Sequence, residues 1–259
     1  MYNRPAYIFS DSPLKKVLLK LFKKNDELII LDIGGCEGED SVKYAKLFPQ
    51  SSIFVFEPLP HNQQMILENI KNYKLNNIIM IPVAVTDESG MQEFYVSSGQ
   101  PDNCEKDLDW DFGNKSSSLL PPDKHINIIP WLKFKEVINV PVIRLYDFLE
   151  EQHILTIDFI HLDVQGAELK VLQGAKEKIK NVKLIWLEVA EITLYKEQPI
   201  RKDIEKFMKN NNFYLIKSSM DGQFGDQLYL NKKYYNTLSI FNRFLQFHFK
   251  RKKDINILF

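Results

Sequence analysis

The chain has 259 residues, of which 44% are hydrophobic and 26% are charged. A chain of this length and composition can bury one large core, so we expect one main domain with terminal additions. Lysine plus arginine equals aspartate plus glutamate at 34 each, which excludes recruitment of nucleic acid by a global positive field. The two cysteines cannot form a disulfide framework or a four-ligand zinc site on their own, and they favour a reducing, cytoplasmic location.

The first predicted element is an amphipathic helix that begins at Pro13, after a cap formed by Asp11 and Ser12, and continues to about Lys24. Lysines interrupt its apolar face, so we do not expect a signal peptide. The sequence contains no run of about 18 apolar residues, which argues against a membrane-spanning helix. We assign residues 1–26 to a helical N-terminal extension and residues 27–231 to the main domain.

The next segment is the most informative one in the chain. A β-branched strand ends near Asp32, a glycine turn follows from Gly34 to Gly38, a helix is predicted over 39–48, and the next strand ends in Glu57. This order is typical of the first half of a nucleotide-binding βαβ unit.

The residues of the turn indicate which nucleotide or nucleoside ligand it could bind. The dinucleotide fingerprint G-x-G-x-x-G fails here because Cys36 and Glu39 stand where glycines are required. Negative charge crowds the turn and would repel a pyrophosphate. S-adenosylmethionine carries a sulfonium and an ammonium but no phosphate, so the same charge favours it. The acidic residues are Asp32, Glu37, Glu39 and Asp40.

Each part of this ligand has candidate contacts in the segment. Asp32 is placed for the methionine ammonium, and the backbone N–H groups between Gly34 and Gly38 are placed for the carboxylate. Glu57 is placed to accept from both ribose hydroxyls, and each such charge-assisted hydrogen bond contributes about 1.5 to 3 kcal/mol. An apolar slot for adenine is expected further along the chain. The predicted cofactor-binding residues are Asp32, Gly34, Gly35, Glu37, Gly38, Glu57, Pro58, Ala84 and Val85.

The same residues have a purely structural interpretation. Asp32 and the glycines would simply close a tight strand-to-helix turn, and Glu57 would cap the helix that follows. Val85 would belong to the buried core of its strand.

The remaining elements alternate between strand and helix. A third strand is predicted over 78–86 and a short one over 92–96, and then residues 98–139 form a long loop. Aromatic residues of this loop, Trp110, Phe112 and Trp131, are expected to shape an acceptor pocket. Further strands are predicted over 140–145, 157–163, 184–189, 214–218 and 227–231, and helices over 61–73, 146–152, 167–180 and 200–210. This order predicts an α/β fold with a mostly parallel seven-stranded sheet, a C-terminal antiparallel hairpin and helices on both faces.

A second turn repeats the pattern of strand, acid, glycine and helix at Asp163, Gly166 and Glu168. In open α/β sheets, ligands bind beyond the carboxyl ends of the strands, so both turns are expected to face one pocket. Asp163 is therefore placed beside the reacting group. The alternatives are a turn-forming role for Asp163 and a helix-capping role for Glu168.

Three segments together resemble a known family. They are LDIGGCEG at 31–38, FEP at 56–58 and IDFIHLDVQGAELKVLQGA at 157–175. They are similar to the FkbM family of S-adenosylmethionine-dependent O-methyltransferases, and the similarity extends over roughly 27–218. The resemblance implies a Rossmann-like methyltransferase fold and methyl transfer to a hydroxyl of a sugar, glycolipid or polyketide.

The chain departs from the family pattern at two positions. An acid is common where this chain has Gln165, and a lysine is common where it has His161. The lost acid makes a divalent metal less expected. Mg²⁺ held by Asp163, Glu188 and Glu191 stays possible, but we favour a site without metal.

Removing the proton of a neutral hydroxyl requires a base within hydrogen-bond reach. Asp163 is the first candidate, Glu188 at the end of a later strand is the second, and His161 is the third. His125 in the long loop would approach the acceptor or remain solvated.

Two other functions and several partners stay open at this stage. A nicotinamide-dependent oxidoreductase and a non-catalytic binding module would share the fold. We expect a small-molecule or glycan acceptor, no nucleic acid and a possible homodimer. Residues 232–259 form an aromatic and basic C-terminal extension that, with the lysine-rich first helix, is suited to peripheral contact with the inner face of a membrane.

Overall fold

The computed structural model describes residues 4–101 and 111–234, and its strands form two sheets. A seven-stranded sheet has the order β3-β2-β1-β7-β8-β10-β9, and a three-stranded sheet has the order β4-β6-β5. The strands are β1 (Ile29–Ile33), β2 (Ser52–Phe56), β3 (Ile78–Ile81), β4 (Ala84–Thr86), β5 (Gly90–Ser98), β6 (Lys133–Arg144), β7 (Ile157–Leu162), β8 (Val182–Ala190), β9 (Phe213–Asp221) and β10 (Phe224–Asn231).

Helices connect most of these strands. The α-helices are α1 (Arg4–Phe9), α2 (Lys15–Leu21), α3 (Glu39–Leu47), α4 (Pro60–Asn72), α5 (His125–Ile128), α6 (Leu145–Glu151), α7 (Glu168–Gly174) and α8 (Arg201–Asn210), and 3₁₀ turns occur at Phe112–Ser116, Lys176–Asn181 and Lys232–Tyr234.

The order of the strands creates a switch point in the large sheet. The chain moves outward from β1 through β2 to β3, and then returns to place β7 against the other side of β1. Both neighbours of β1 are parallel to it, and β10 runs antiparallel to both β8 and β9. The prediction of a mostly parallel seven-stranded sheet with a C-terminal hairpin is confirmed. The carboxyl ends of β1 and β7 therefore lie side by side, where ligands of such folds bind.

The core is divided by the large sheet into two apolar layers. Ile30 packs with the layer that contains α2, α3 and α4, whereas the next residue, Leu31, packs with the layer that contains α6, α7 and α8. This alternation is the two-residue period of a strand that is covered on both faces.

The prediction of a single strand over 78–86 is wrong, because the structure has two strands there. β3 stays in the large sheet beside β2, and β4 pairs with β6 in the small sheet. Pro82 lies between them and has no N–H to continue the ladder. The break carries Ala84 and Val85 away from the large sheet and toward the end of β2.

The long loop predicted over 98–139 is also wrong in part. β6 begins at Lys133, and the 3₁₀ turn and α5 lie within the same stretch. Most side chains in the first half of β6 are exposed, so its sequence lacks the apolar alternation of a half-buried strand. Trp110 lies outside the described residues.

The N-terminal helices pack on the main domain. Ile8, Leu14 and Leu18 are buried in the same apolar layer as Tyr44 and Phe48. Within the described residues, no helix is long and apolar enough to cross a membrane. The predicted C-terminal extension lies outside the described residues from position 235 onward.

Candidate active site

A cleft of about 510 Å³ opens where β1, β2 and β7 end. It is lined by the predicted residues Gly34, Glu57, Pro58, Ala84, Val85 and Asp163, together with Cys36, Phe56, Leu59, Asn62, Phe94, Asn114, Lys115, Ser117, Leu119, Val164 and Gln165. The predicted residues outside this lining are Asp32, Gly35, Glu37, Gly38, His161 and Glu188.

The glycine turn is held by its own backbone hydrogen bonds. The N–H groups of Gly34 and Gly35 both donate to the carbonyl of Phe56, at 3.1 and 3.0 Å. The N–H of Gly38 donates to the carbonyl of Gly35 at 2.7 Å. These three donors tie β1 to β2 and start α3, so they are already satisfied within the protein.

Gly34 allows the close approach of the two ligand-binding turns. Its φ is +84°, and a Cβ atom at this position would lie 1.9 Å from the carbonyl oxygen of Asp163. Only glycine fits both the conformation and the space. The turn after β1 can therefore contact the turn after β7 directly.

We expect Gly34→Ala to destabilise the fold by roughly 3 kcal/mol or more, because it combines positive φ with a backbone clash. Urea denaturation measures the loss. The matched control is Gly222→Ala in the β9–β10 hairpin, where φ is +61° but nothing lies within 4 Å of the added Cβ. That variant is expected to lose about 1 kcal/mol. Equal losses for the two variants would contradict the packing argument.

Asp32 is buried below the turn. Ser41 Oγ on α3 donates to its Oδ2 at 2.5 Å, and His161 Nδ1 on β7 lies 3.3 Å from its Oδ1. Burial alone would lower the pKa of His161, but the carboxylates of Asp32, Asp40 and Asp163 raise it to about 9. His161 therefore carries a proton at neutral pH, and Asp32 joins β1 to α3 and β7.

Glu57 is buried at the end of β2 and lines the cleft. Its Oε1 accepts a hydrogen bond of 2.8 Å from the N–H of Leu59, the residue before α4. Burial raises the pKa of Glu57 to about 8, although hydrogen bonds from Leu59, Asn62 and Cys36 partly offset this shift. The carboxyl thus holds the start of α4 and also faces the cleft.

Apolar side chains form the wall beside Glu57. Ala84 and Val85 come from β4, and Pro58 and Leu59 from the segment that leads into α4. Phe94 on β5 also contributes to this wall. Such a surface is suited to a flat, apolar ring.

An acidic cluster lies beyond β7 and β8, and Asp163 is its one member that lines the cleft. Carboxylate oxygens of Asp163, Glu168 and Glu188 all lie within 4.8 Å of one another. The side-chain amide of Gln165 donates to Asp163 Oδ1 at 2.7 Å and to Glu188 Oε2 at 3.0 Å. Glu168 Oε1 accepts from the N–H groups of Val164 and Gly166, both at 3.1 Å. Glu168 thus has the helix-capping role, which was one of the two roles considered for it from the sequence.

The crowding of these carboxyl groups affects their pKa values. Burial raises the pKa of Asp163, whereas Gln165 and His161 oppose the increase. Burial and the charge of Asp163 raise the pKa of Glu188 well above its ordinary value. Protonation is therefore favoured more strongly on Glu188 than on Asp163.

The structure changes the candidate metal ligands. Glu191 pairs with Arg201 at 2.8 Å and is not in the acidic cluster, where Glu168 takes its place. The carboxylate oxygens are of the type that Mg²⁺ prefers. Internal donors from Gln165, Val164 and Gly166 already satisfy several of them.

His125 is not solvated, and it does not line the cleft. It is buried against the rings of Phe134 and Tyr195, at centroid distances of 5.0 and 4.2 Å. The hydroxyl of Tyr195 lies 2.7 Å from the carbonyl oxygen of Ser116 and 3.2 Å from Gln165 Oε1. His125 therefore packs behind the residues that orient Gln165.

The sequence did not indicate several polar residues of the cleft. Asn62 on α4 and Asn114 in the 3₁₀ turn are 52 positions apart, yet Asn114 Nδ2 donates to Asn62 Oδ1 at 2.6 Å. Lys115 follows Asn114 and lies 3.3 Å from Glu39. No local spacing rule connects such residues, because the fold alone brings the turn over the cleft.

Comparisons with known proteins agree with this geometry. The model of the methyltransferase FkbM domain matches residues 32–215. The 2-O-methyltransferase NoeI of Sinorhizobium fredii is 32% identical over 225 residues, which cover 86% of this chain and 87% of that protein. Methyltransferase sdnD of Sordaria araneosa is 25% identical over 207 residues, which cover 71% of this chain and 73% of that protein.

Among solved structures, magnesium protoporphyrin IX methyltransferase from Synechocystis aligns with a TM-score of 0.47 and 10% identity, over 88% of this chain and 90% of that one. The family assignment depends on the sequence matches. Because the family match spans most of the main domain and NoeI aligns along most of its own length, the chain belongs to the FkbM family of S-adenosylmethionine-dependent methyltransferases.

Proposed function

We propose that this enzyme methylates a hydroxyl group of a sugar, a glycan or a similar small-molecule natural product. The observation that carries the proposal is the carboxyl group of Asp163, which lines the cleft and is linked to Glu188 through the side-chain amide of Gln165. A hydroxyl acceptor needs a base of this kind, whereas a neutral amine does not. The name of the related 2-O-methyltransferase NoeI supports the same type of acceptor.

The lining residues fit S-adenosylmethionine in one direction. Ala84, Val85 and Pro58 offer an apolar surface for adenine, and Glu57 offers carboxyl oxygens to the ribose hydroxyls. The methionine part would then extend toward Asp163. When bound, this cofactor supplies a methyl group on a sulfonium, which is an excellent leaving group.

The protein has two tasks in this reaction. Alignment of the acceptor oxygen with the methyl group can supply on the order of 7 to 11 kcal/mol. Asp163 accepts the proton of the hydroxyl as the new bond to oxygen forms, which typically contributes about 10²- to 10⁴-fold. Its raised pKa makes it a stronger base than an ordinary aspartate.

The other two base candidates have positioning roles in this proposal. The pKa of Glu188 is raised further than that of Asp163, so in this proposal Glu188 keeps its proton and Asp163 accepts the proton of the hydroxyl. His161 is also protonated, and its charge favours the ionised form of Asp163.

The direct test uses S-adenosylmethionine that carries a labelled methyl group and a panel of sugars and glycans, each paired with its deoxy analogue. We expect label to appear in acceptors with the free hydroxyl and to be absent from the paired deoxy compounds. The label should be stable to the mild base that cleaves methyl esters. Transfer to nitrogen or carbon, or binding of NADH in place of S-adenosylhomocysteine, would overturn the proposal.

A further inference from the structure

The carboxylate of the cofactor needs a partner other than the glycine N–H groups of the turn. The N–H groups of Gly34, Gly35 and Gly38 donate to the protein's own carbonyls. The surrounding side chains are acidic, because Glu37 and Glu39 are buried next to this turn. A carboxylate in these surroundings is repelled unless a cation meets it.

Lys115 is the only cation among the described residues that line the cleft. It belongs to the 3₁₀ turn that covers the cleft, and its side chain is 39% exposed. Its Nζ lies 3.3 Å from Glu39 Oε1 and 5.4 Å from the centre of the Tyr7 ring on α1. Glu39 begins α3, directly after the glycine turn. Lys115 is therefore held above the turn, on the side of the cleft where the methionine part is proposed to lie.

We propose that Lys115 binds the carboxylate of the methionine part of S-adenosylmethionine. This inference rests on the proposed placement of the cofactor in the cleft. An ammonium can contact two carboxylates at once because it has three N–H donors, so Lys115 can keep Glu39 as a partner. Its charge also remains in place, because Glu39 raises the pKa of Lys115 against the effect of burial.

The test compares two ligands that differ only in the carboxylate. One is S-adenosylhomocysteine, and the other is decarboxylated S-adenosylhomocysteine, which keeps the nucleoside and the ammonium. Isothermal titration of the full chain measures both affinities. We expect the wild-type protein to prefer S-adenosylhomocysteine by about 10- to 100-fold, the usual effect of a hydrogen bond between charged groups.

In Lys115→Met, S-adenosylhomocysteine is expected to lose about 10- to 100-fold in affinity, whereas the decarboxylated ligand keeps its affinity. The matched control is Lys124→Met, an exposed lysine whose Nζ bonds to Thr193, and both affinities should remain those of the wild type. An equal loss for both ligands in Lys115→Met, or no loss for either, would overturn the inference.

A second variant separates ligand binding from simple neutralisation of Glu39. If Lys115 only compensates that carboxylate, Glu39→Gln combined with Lys115→Met should restore the binding of S-adenosylhomocysteine. We expect the double variant to remain weak, and restoration would contradict the inference. If the wild-type protein binds neither ligand, the proposed cofactor site fails as well, whereas an unchanged Lys115→Met variant removes this inference alone.

Discussion

Replacement of Asp163 by asparagine is expected to lower kcat for methyl transfer by about 10²- to 10⁴-fold, the range of a lost general base. Asparagine has nearly the same shape, so the turn after β7 should persist, but its amide cannot accept the proton of the hydroxyl. The binding of S-adenosylhomocysteine, measured by calorimetry, should change much less than kcat.

The matched variant is Glu188→Gln. In the proposed mechanism Glu188 keeps its proton, so a neutral amide resembles it, and we expect this variant to retain most of its activity. The opposite ranking, with Glu188→Gln the more severely impaired, would show that Glu188 is the base. If the two variants were equally impaired, the pair would act as one unit.

The direction in which kcat changes with pH follows from the role of Asp163 as a base. A base must be ionised, so kcat is expected to fall as the pH decreases through the pKa of Asp163. Burial raises that pKa, and the decrease should therefore begin at a higher pH than an ordinary aspartate would give. Asp163→Asn should lose this limb of the profile.

Replacement of Glu57 by glutamine is expected to stabilise the cofactor-free protein above pH 8. The pKa of Glu57 is about 8 in the fold against an ordinary value of 4.5, because burial favours the neutral form. The stability that its proton contributes is fully present below pH 4.5 and is lost as the pH rises through about 8. One pKa unit corresponds to about 1.4 kcal/mol, so after allowance for relaxation of the buried charge we expect a gain of roughly 2 to 4 kcal/mol.

Urea denaturation at several pH values measures this effect. Below pH 5 the variant and the wild-type protein should differ little, because both then have a neutral group at this position. The exposed Glu151 serves as the matched control, and Glu151→Gln should leave the pH profile unchanged. A wild-type profile identical to that of Glu57→Gln would contradict the burial argument.

The same substitution should weaken the cofactor. Glutamine offers the ribose hydroxyls one neutral acceptor in place of a carboxylate, and a loss of about 10- to 100-fold in affinity for S-adenosylhomocysteine is expected. In the wild-type protein the affinity should rise with pH toward 8, because binding favours the ionised form. The affinity of Glu57→Gln for S-adenosylhomocysteine should lack this rise with pH, because glutamine does not ionise.

The first βαβ unit was predictable because its signals are local. The strand that ends near Asp32, the glycine at Gly34 and the acid at Glu57 occur in a fixed order with spacing set by one strand and one helix. Asp163 was recognisable for the same reason. Parallel strands end at a common edge, so acids at those ends are candidates for one pocket even without a structure.

Other features were not predictable from spacing. Ala84 does not continue the third strand as predicted, because Pro82 interrupts the ladder. It lies in β4, which belongs to the other sheet. Lys115 lies in the cleft because its turn folds over it. There Lys115 pairs with Glu39, which is remote in sequence. A contact between residues so far apart depends on how the sheets pack, and no periodicity encodes it.

The sequence by itself determined most of the order of strands and helices, the acidic turn that disfavours phosphate, and the resemblance to a methyltransferase family. Only the tertiary structure decided how each acid is used. Asp32 pairs with His161 and Ser41 beneath the turn, Glu57 faces the cleft with a raised pKa, and Asp163 accepts a hydrogen bond from Gln165 close to Glu168 and Glu188. The physical reason is that the ionisation and bonding of a carboxyl group depend on its burial and on the charges around it, and residues distant in sequence supply both.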